Sequence, residues 1–295
     1  MKINWLTTIL IPGKAVYKDG LWVDESITAK KKYWSFSQEW KNHADTYQQK
    51  TWDWTAEQRL EQFYIEAGSS PDELKGKLVL DAGCGNGQLT TAMARAGAYA
   101  VGIDVQQHIP VNEKTDNPCF VWASFEQPPF KTSSFDFAIA NGSLHHTKNT
   151  FASFNAVAEL IKPGGKMYVW LYKKPDTAGK RFLLWWLDFN RFFISRFPLW
   201  LQKICVNVLT IFFFLLSRIR KGKNSKRTKE EIRINVYDAF TPRYRHYHTP
   251  VECAQWFFQC GFGNPVLSHW DNLYGFGMVA TKERSFEKPA GENFI

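Results

Sequence analysis

The chain lacks the features that would assign it to several common classes. Its five cysteines (Cys84, Cys119, Cys205, Cys253 and Cys260) include no CxxC pair and no His/Cys cluster at metal-ligand spacing. Neither a disulfide framework nor a metal site is expected, and scattered thiols suit a reducing cytoplasm. The opening MKINWLTTILIPG has one early lysine and a brief apolar run broken by Asn4, Thr7 and Thr8, with no small-residue cleavage site after it. A secretory signal is therefore not expected. No internal repeat is present. Acidic residues are scarce in one stretch: residues 173 to 229 hold 14 Lys/Arg against 2 Asp/Glu, whereas the remainder holds 23 against 26. The formal charge of +9 thus comes from one segment of an otherwise slightly acidic chain.

With 295 residues, 44% of them hydrophobic and 22% charged, the chain suits a soluble globular protein of one elaborated domain or two small ones. Residues 1 to 76 are rich in Trp and Tyr, with Trp34, Phe36, Trp40 and Tyr47 set among polar residues as in short helices. They read as an N-terminal aromatic cap, from which Trp40 and Tyr47 are candidates to close over a ligand. From Lys77 the pattern changes to short apolar runs alternating with helical periodicity. Strands are expected at Leu78–Asp81, Tyr99–Asp104, Phe120–Ala123, Phe135–Ala140 and Met167–Tyr172, with helices from Gln88 to Ala96 and from Thr150 to Ile161. Beyond residue 230, a helix from Pro250 to Cys260 and strands at Val266–Trp270 and Gly275–Thr281 complete the sheet, before a polar tail at 283 to 295. The fold class is α/β: a doubly wound, mainly parallel seven-stranded sheet that places ligands at the carboxyl ends of its strands.

The sharpest motif is LVLDAGCGNG, residues 78 to 87, where Asp81 is followed by Gly83, Gly85 and Gly87 in a turn that enters a helix. Glycines let the backbone pass close under a ligand. A dinucleotide fingerprint wants its third glycine where Gln88 stands, and Asp81 would oppose a pyrophosphate at the helix N-terminus. S-Adenosyl-L-methionine offers an ammonium, a sulfonium and no phosphate, so an acid at the loop's entrance favours it. Asp104, 17 residues beyond Gly87, is placed to accept hydrogen bonds from a ribose diol. A nicotinamide-dependent oxidoreductase and a cofactor-binding protein without turnover remain as alternatives.

The order DAGCGNG, GID, SFDFAIANGSLHH and LIKPGGKMYVWLY resembles class I S-adenosylmethionine-dependent methyltransferases, especially the branch that includes quinone-biosynthesis and small-molecule enzymes. The likeness is strong over residues 77 to 172. It is fainter at FSQEW (36 to 40) and at YDAFTPRYRHYHTPVECAQWFFQCGF (237 to 262). It implies a Rossmann-like methyltransferase fold that uses S-adenosyl-L-methionine as cofactor. Asp81, Gly83 and Gly85 would meet the methionine moiety, Asp104 the ribose hydroxyls, and Val105 would flank the adenine. Ser124, followed by Phe125, stands where relatives often place an Asp against the adenine amine. Asn141 would lie beside the reactive end.

His145 and His146 follow the fourth strand, where an acceptor approaches, and His145 is the candidate general base. His146, Tyr244, His246 and His248 are candidate substrate residues. The acceptor is expected to be a small molecule, sugar-derived or lipid-linked compound, methylated on O, N or C. Residues 182 to 217 are very apolar and aromatic and lead into RIRKGKNSKRTK. Asp188, Arg191, Arg196, Pro198 and Lys203 interrupt the run and argue against a single span. The remaining readings are helices covering an acceptor pocket, or a surface (182 to 229) that meets anionic lipid through Arg218, Arg220, Lys221, Lys223, Lys226, Arg227 and Lys229. Nucleic acid is disfavoured, because the neighbours are aliphatic and Phe rather than a polar stacking groove. The expected division is cap 1–76, cofactor core 77–172, helical insertion 173–229 and a completing segment 230–295, in a cytoplasmic protein able to sit at the inner face of a membrane.

Overall fold

A computed structural model of the chain describes residues 5–27, 55–106, 117–221, 228–270 and 274–284. The central strands are short apolar runs because helices cover both faces. They are β3 (Leu78–Ala82), β4 (Tyr99–Asp104), β5 (Cys119–Trp122), β6 (Phe135–Asn141) and β7 (Ile161–Tyr172), all mutually parallel. The chain then reverses: β9 (Gly275–Lys282) runs antiparallel between β7 and the edge strand β8 (Phe262–Trp270). These seven strands are the seven expected, in the spatial order β5-β4-β3-β6-β7-β9-β8.

Two further strands extend that sheet. β1 (Val16–Lys18) and β2 (Leu21–Val23) form a hairpin around Asp19 and Gly20, both at positive φ, and β2 pairs in parallel with β5. Residues 16 to 23 therefore belong to a nine-stranded sheet, not to a separate cap. The Asp-Gly pair between alternating residues is the local signal for this turn. Trp34, Phe36, Trp40 and Tyr47, on which the cap reading rests, lie outside the described residues.

The helices are α1 (Ala56–Glu66), α2 (Pro71–Leu74), α3 (Gln88–Arg95), α4 (Thr150–Glu159), α5 (Ala178–Ile194), α6 (Leu199–Lys221), α7 (Lys229–Phe240) and α8 (Pro250–Gln259). Thr55, Thr228 and Thr249 close reciprocal capping boxes with Gln58, Glu231 and Glu252, which fixes the starts of α1, α7 and α8. Strand alternation splits the core. Leu80, Val101, Phe135 and Ala138 face Phe154 of α4 and Phe257 of α8, whereas Val79, Phe137, Ile139 and Tyr168 face Phe63 of α1 and Met93 of α3. A third cluster, Ile194, Val206, Ile232, Val236, Tyr237 and Phe240, binds α5, α6 and α7 into one unit beyond the end of β7.

Candidate functional site

The turn after β3 is shaped by three glycines at positive φ: Gly83 at 88°, Gly85 at 54° and Gly87 at 71°. Its amides are pinned, with Gly83 donating to the Ile103 carbonyl and Gly87 to the Cys84 carbonyl, each at 2.8 Å. Ser143 closes the turn from β6 by donating its hydroxyl to the Ala82 carbonyl at 2.6 Å. A Cβ on Gly83 would stand 2.3 Å from the Ser143 Cβ, so this approach requires glycine. The Phe125 ring, buried, closes the same corner, its edge 3.5 Å from that position.

The two acids stand at the ends of neighbouring strands. Asp81 is buried and accepts from the Thr90 hydroxyl at 2.7 Å. Burial pushes its carboxyl up to about 6, and the nearby Asp104 charge adds to the rise. Asp104 is also buried, and burial raises its carboxyl above the ordinary range. Its Oδ2 accepts from the Gly85 amide at 2.8 Å and its Oδ1 from the Gln106 amide at 2.9 Å, while Gln106 Nε2 donates back to the Gly85 carbonyl at 2.8 Å. Asp104 thus braces the glycine loop itself, and each carboxylate oxygen keeps a further lone pair for a ligand hydroxyl. Gln106 was not anticipated in this bracing role, although its place two residues after the acid is the local signal for an Asx turn.

Arg59 is a second residue that the motif does not reveal. Arg59, Phe63 and Glu66 share one face of α1 by helical spacing. Phe63 packs edge-on against Phe137, their ring centroids 5.5 Å apart, and Glu66 accepts from the Tyr168 hydroxyl. The chain leaves α1 and passes through α2 to the amino end of β3, so the amino end of α1 lies level with the glycine loop. The half-buried Arg59 places its charge where Asp81 feels it, and its guanidinium makes no hydrogen bond or ion pair among the described residues.

The remaining cofactor candidates line the same rim. Val105 accepts at its carbonyl from Trp122 Nε1 at 3.0 Å. Ser124 Oγ accepts from the Glu126 amide at 3.2 Å, forming a tight turn after β5. Asn141 is half-buried at the end of β6, paired with Trp170 of β7.

On the other side of β6 lies a polar aromatic knot. His145 and His146 occupy the turn Leu144–His146. The His145 ring lies 3.9 Å from that of Tyr172 and 4.4 Å from that of His146. It is fully buried, and neither ring nitrogen has a hydrogen-bond partner among the described residues. Burial holds its pKa well below the usual 6.5, and the charges of His146 and Arg245 push the same way. His145, the candidate general base, is therefore an enclosed imidazole in this conformation. His146 lies with Nδ1 3.0 Å from the Tyr244 carbonyl and Nε2 3.5 Å from Asp238 Oδ1. Because a carbonyl only accepts, Nδ1 carries a proton.

The segment Tyr244 to His248 runs along the ends of β6 and β7 and brings the late histidines to the early pair. The His246 amide donates to the His145 carbonyl at 2.9 Å, and the His248 amide donates to the Tyr172 carbonyl at 2.8 Å. Their rings reach backward to Thr147 O and Thr150 Oγ1, each at 3.0 Å. Burial lowers both pKa values, that of His248 to about 4. Tyr244 stacks at 6.4 Å on His246. Sequence reasoning missed Asp238, which accepts from the Tyr172 hydroxyl, and Arg245, whose guanidinium lies 4.5 Å over the Tyr172 ring. Their side chains converge only once α7 is folded against β7. Among the described residues no group of His, Cys, Asp and Glu is placed to hold a metal ion.

Residues 80–169 match the family described as "Methyltransferase domain". Among curated proteins, the chain is 36% identical over 107 residues to the ubiquinone biosynthesis O-methyltransferase of Idiomarina loihiensis, covering 33% of this chain and 43% of that protein. It is 28% identical over 124 residues to O-methyltransferase rstn1 of Aspergillus nomiae, covering 39% of this chain and 55% of that protein. The chain thus spans about half the length of the curated relatives it matches. Among solved structures, the 1,6-didemethyltoxoflavin-N1-methyltransferase of Burkholderia thailandensis, bound to its substrate and S-adenosylhomocysteine, has a TM-score of 0.48 and 14% identity, covering 84% of this chain and 85% of that one.

Proposed function

We propose that this chain, whose residues 80–169 match the methyltransferase domain family, is a class I S-adenosylmethionine-dependent methyltransferase that transfers a methyl group from S-adenosyl-L-methionine to a small-molecule acceptor. The observation that carries the reading is the charge pattern around the glycine loop. A buried carboxylate whose pKa is pushed up to about 6 and a guanidinium unpaired among the described residues flank a turn that admits no side chain at Gly83. That set complements an amino acid zwitterion and is poorly suited to a pyrophosphate. The cofactor, when bound, supplies an electrophilic methyl group on a sulfonium. Asp81 would hold its ammonium, Arg59 its carboxylate and Asp104 its ribose diol. The chain's main contribution is alignment, an effect worth up to ~7–11 kcal/mol when donor and acceptor are held in line. Abstraction of an acceptor proton by His145 requires the rings of Tyr172 and His146 to part, since both pack directly on it.

The test is calorimetric titration with S-adenosylhomocysteine, with NAD as comparator, followed by transfer of labelled methyl into cell extract. Affinity should be flat above neutrality. It should fall by up to about tenfold per pH unit below the raised pKa of Asp81, because the protonated acid must lose its proton to hold a cation. Asp81→Asn should remove that slope. Tight NAD binding with none of S-adenosylhomocysteine would end the reading, and binding without transfer to any acceptor would leave a cofactor-binding protein.

Arg59 gives a second, smaller effect. Arg59→Gln should weaken S-adenosylhomocysteine about tenfold, one charge-assisted bond's worth. It should leave 5′-methylthioadenosine, which lacks the amino acid end, unaffected. Equal loss for both ligands would place Arg59 elsewhere.

The finer reading is a lipid-linked acceptor met at the cytoplasmic face of a membrane. It is supported by the apolar outer faces of α5 and α6, which adjoin the acceptor end of β7.

A further inference from the structure

The two insertion helices carry their apolar residues on the outside. On α5, Phe182 is 68% exposed, Trp185 59%, and Phe189 and Phe192 53% each. The rings of Phe182, Trp185 and Phe189 stack in a ladder at 5.9 and 5.8 Å, a continuous strip at i, i+3 and i+7. Two charged residues of the same helix turn inward: Asp188 pairs with Arg191 at 3.0 Å and accepts from the Tyr247 hydroxyl at 3.4 Å, and Arg191 points to the Pro242 carbonyl. This is the reverse of the arrangement that water selects for a surface helix. On α6, Val206, Leu209 and Phe213 pack toward α7, while Trp200, Ile204, Val208 and Leu215 face outward and are exposed. Between Phe182 and Ile219, fourteen large apolar side chains are exposed by 39% to 81%. Monomeric proteins in water seldom carry contiguous apolar patches beyond ~300–600 Å².

The charge around this face selects its partner. Arg181, Lys203 and Arg218 lie along the two helices and Arg196 in the turn between them, its guanidinium 3.7 Å over the Phe192 ring. Of the two acids between residues 173 and 229, Asp188 is turned inward and Asp176 is bonded to Lys180 at 2.8 Å. A second copy of the chain would bring cations against cations, whereas an anionic bilayer supplies both an apolar interior and opposite charge.

We propose that α5 and α6 form an in-plane anchor whose outer face enters an anionic lipid bilayer. The 23 residues of α6 are long enough to cross ~30 Å of hydrocarbon. Its inner face is nevertheless committed to α7, and α7 is tied to β7 through Asp238 and Tyr172. The helix therefore lies along the surface. Since α5 starts six residues after β7 ends, the anchor holds the acceptor end of the sheet at headgroup level. The surface does not depend on the reaction. Its use in presenting a lipid-linked acceptor rests on the methyl-transfer reading above.

The experiment is co-sedimentation of the full chain with vesicles of phosphatidylcholine alone and with about one third phosphatidylglycerol, over a range of salt. Partitioning should be at least about tenfold stronger onto the anionic vesicles at low salt and should weaken as salt rises. The variant Trp185→Ser/Phe189→Ser/Phe192→Ser should lose binding to both. Arg196→Gln/Arg218→Gln should lose only the preference for anionic lipid. Unchanged S-adenosylhomocysteine affinity would show each variant to be folded. A chain that ignores both vesicles, or that forms dimers which the triple variant dissolves while vesicles go unbound, overturns the proposal. If wild-type chain binds vesicles but not S-adenosylhomocysteine, the cofactor reading fails and the anchor stands.

Discussion

Replacing Gly83 with alanine should weaken S-adenosylhomocysteine at least about a hundredfold, or about 2.7 kcal/mol, while the sheet still folds. The residue sits at φ 88°, where an L side chain costs ~1–2 kcal/mol before any contact is considered. The new methyl group would stand 2.3 Å from the Ser143 Cβ and 2.8 Å from its hydroxyl oxygen. Ser143 cannot simply retreat, because its hydroxyl holds the Ala82 carbonyl at 2.6 Å and its backbone begins the turn that carries His145. The loop must move instead, and with it the Gly85 amide that Asp104 holds at 2.8 Å. Gly164→Ala is the control. It has the same sign of φ, at 80°, but lies near the opposite end of the sheet, with Arg284 3.4 Å from the added carbon. Gly164→Ala should lower the unfolding midpoint comparably and leave cofactor affinity alone. Wild-type affinity in folded Gly83→Ala would mean that the cofactor does not pass over this turn.

The parts of the fold legible in the sequence are those governed by local periodicity. Tyr99–Asp104 and Gln88–Arg95 follow from an apolar run and a helical stripe bounded by glycines, and their ends fall within a residue of expectation. The same holds for Asp81, Gly83 and Asp104, whose separations are fixed along one β-turn-α-β path. The hairpin at Asp19-Gly20 carried a turn signal but was masked by the aromatic richness around it. Arg59, Asp238 and Arg245 had no local signal. The charge of Arg59 is felt at Asp81 only because α1 packs on the sheet face that carries Val79, Phe137 and Tyr168, and Asp238 reaches His146 from 92 positions away because α7 folds back onto the end of β7. His145 shows the complementary failure. Its position after β6 was readable, whereas its enclosure by Tyr172 and His146 depends on side chains from two elements and from the Tyr244–His248 segment.

That long-range knot is where the second large effect is expected. Asp238→Ala should destabilise the chain by about 3 kcal/mol, the lower end of the range for removing one partner of a buried charge pair, because the carboxylate is half-buried. The substitution leaves the Tyr172 hydroxyl without its acceptor and the Arg245 guanidinium, 4.5 Å over the Tyr172 ring, with only the weaker influence of Asp188 as counter-charge. Burial alone would raise the Asp238 carboxyl, but the bond and charge of His146 and the charge of Arg245 prevail and hold it below the ordinary carboxylate range. A carboxyl depressed in the folded state stabilises above its unfolded pKa, near 3.8, and that contribution disappears as the pH falls further toward the folded value. Denaturant midpoints measured from pH 6 down to pH 3 should therefore fall less steeply for Asp238→Asn than for wild type. Asp238→Asn keeps an acceptor for Tyr172 and should lose less than Asp238→Ala at pH 7. Tyr172→Phe combined with Asp238→Ala should cost less than the two singly, since both remove the same bond. If Asp238→Ala is as stable as wild type and the double variant is additive, the insertion is held near the sheet by its other ties, the Tyr247–Asp188 bond among them, while the cluster of Ile194, Val206 and Val236 holds only its helices together. A measured coupling would instead make Asp238 the link between the outward-facing helices and the turn that carries His145 and His146. Force on the insertion would then reach the acceptor end of β7 through Asp238 as well as through the Tyr247–Asp188 bond.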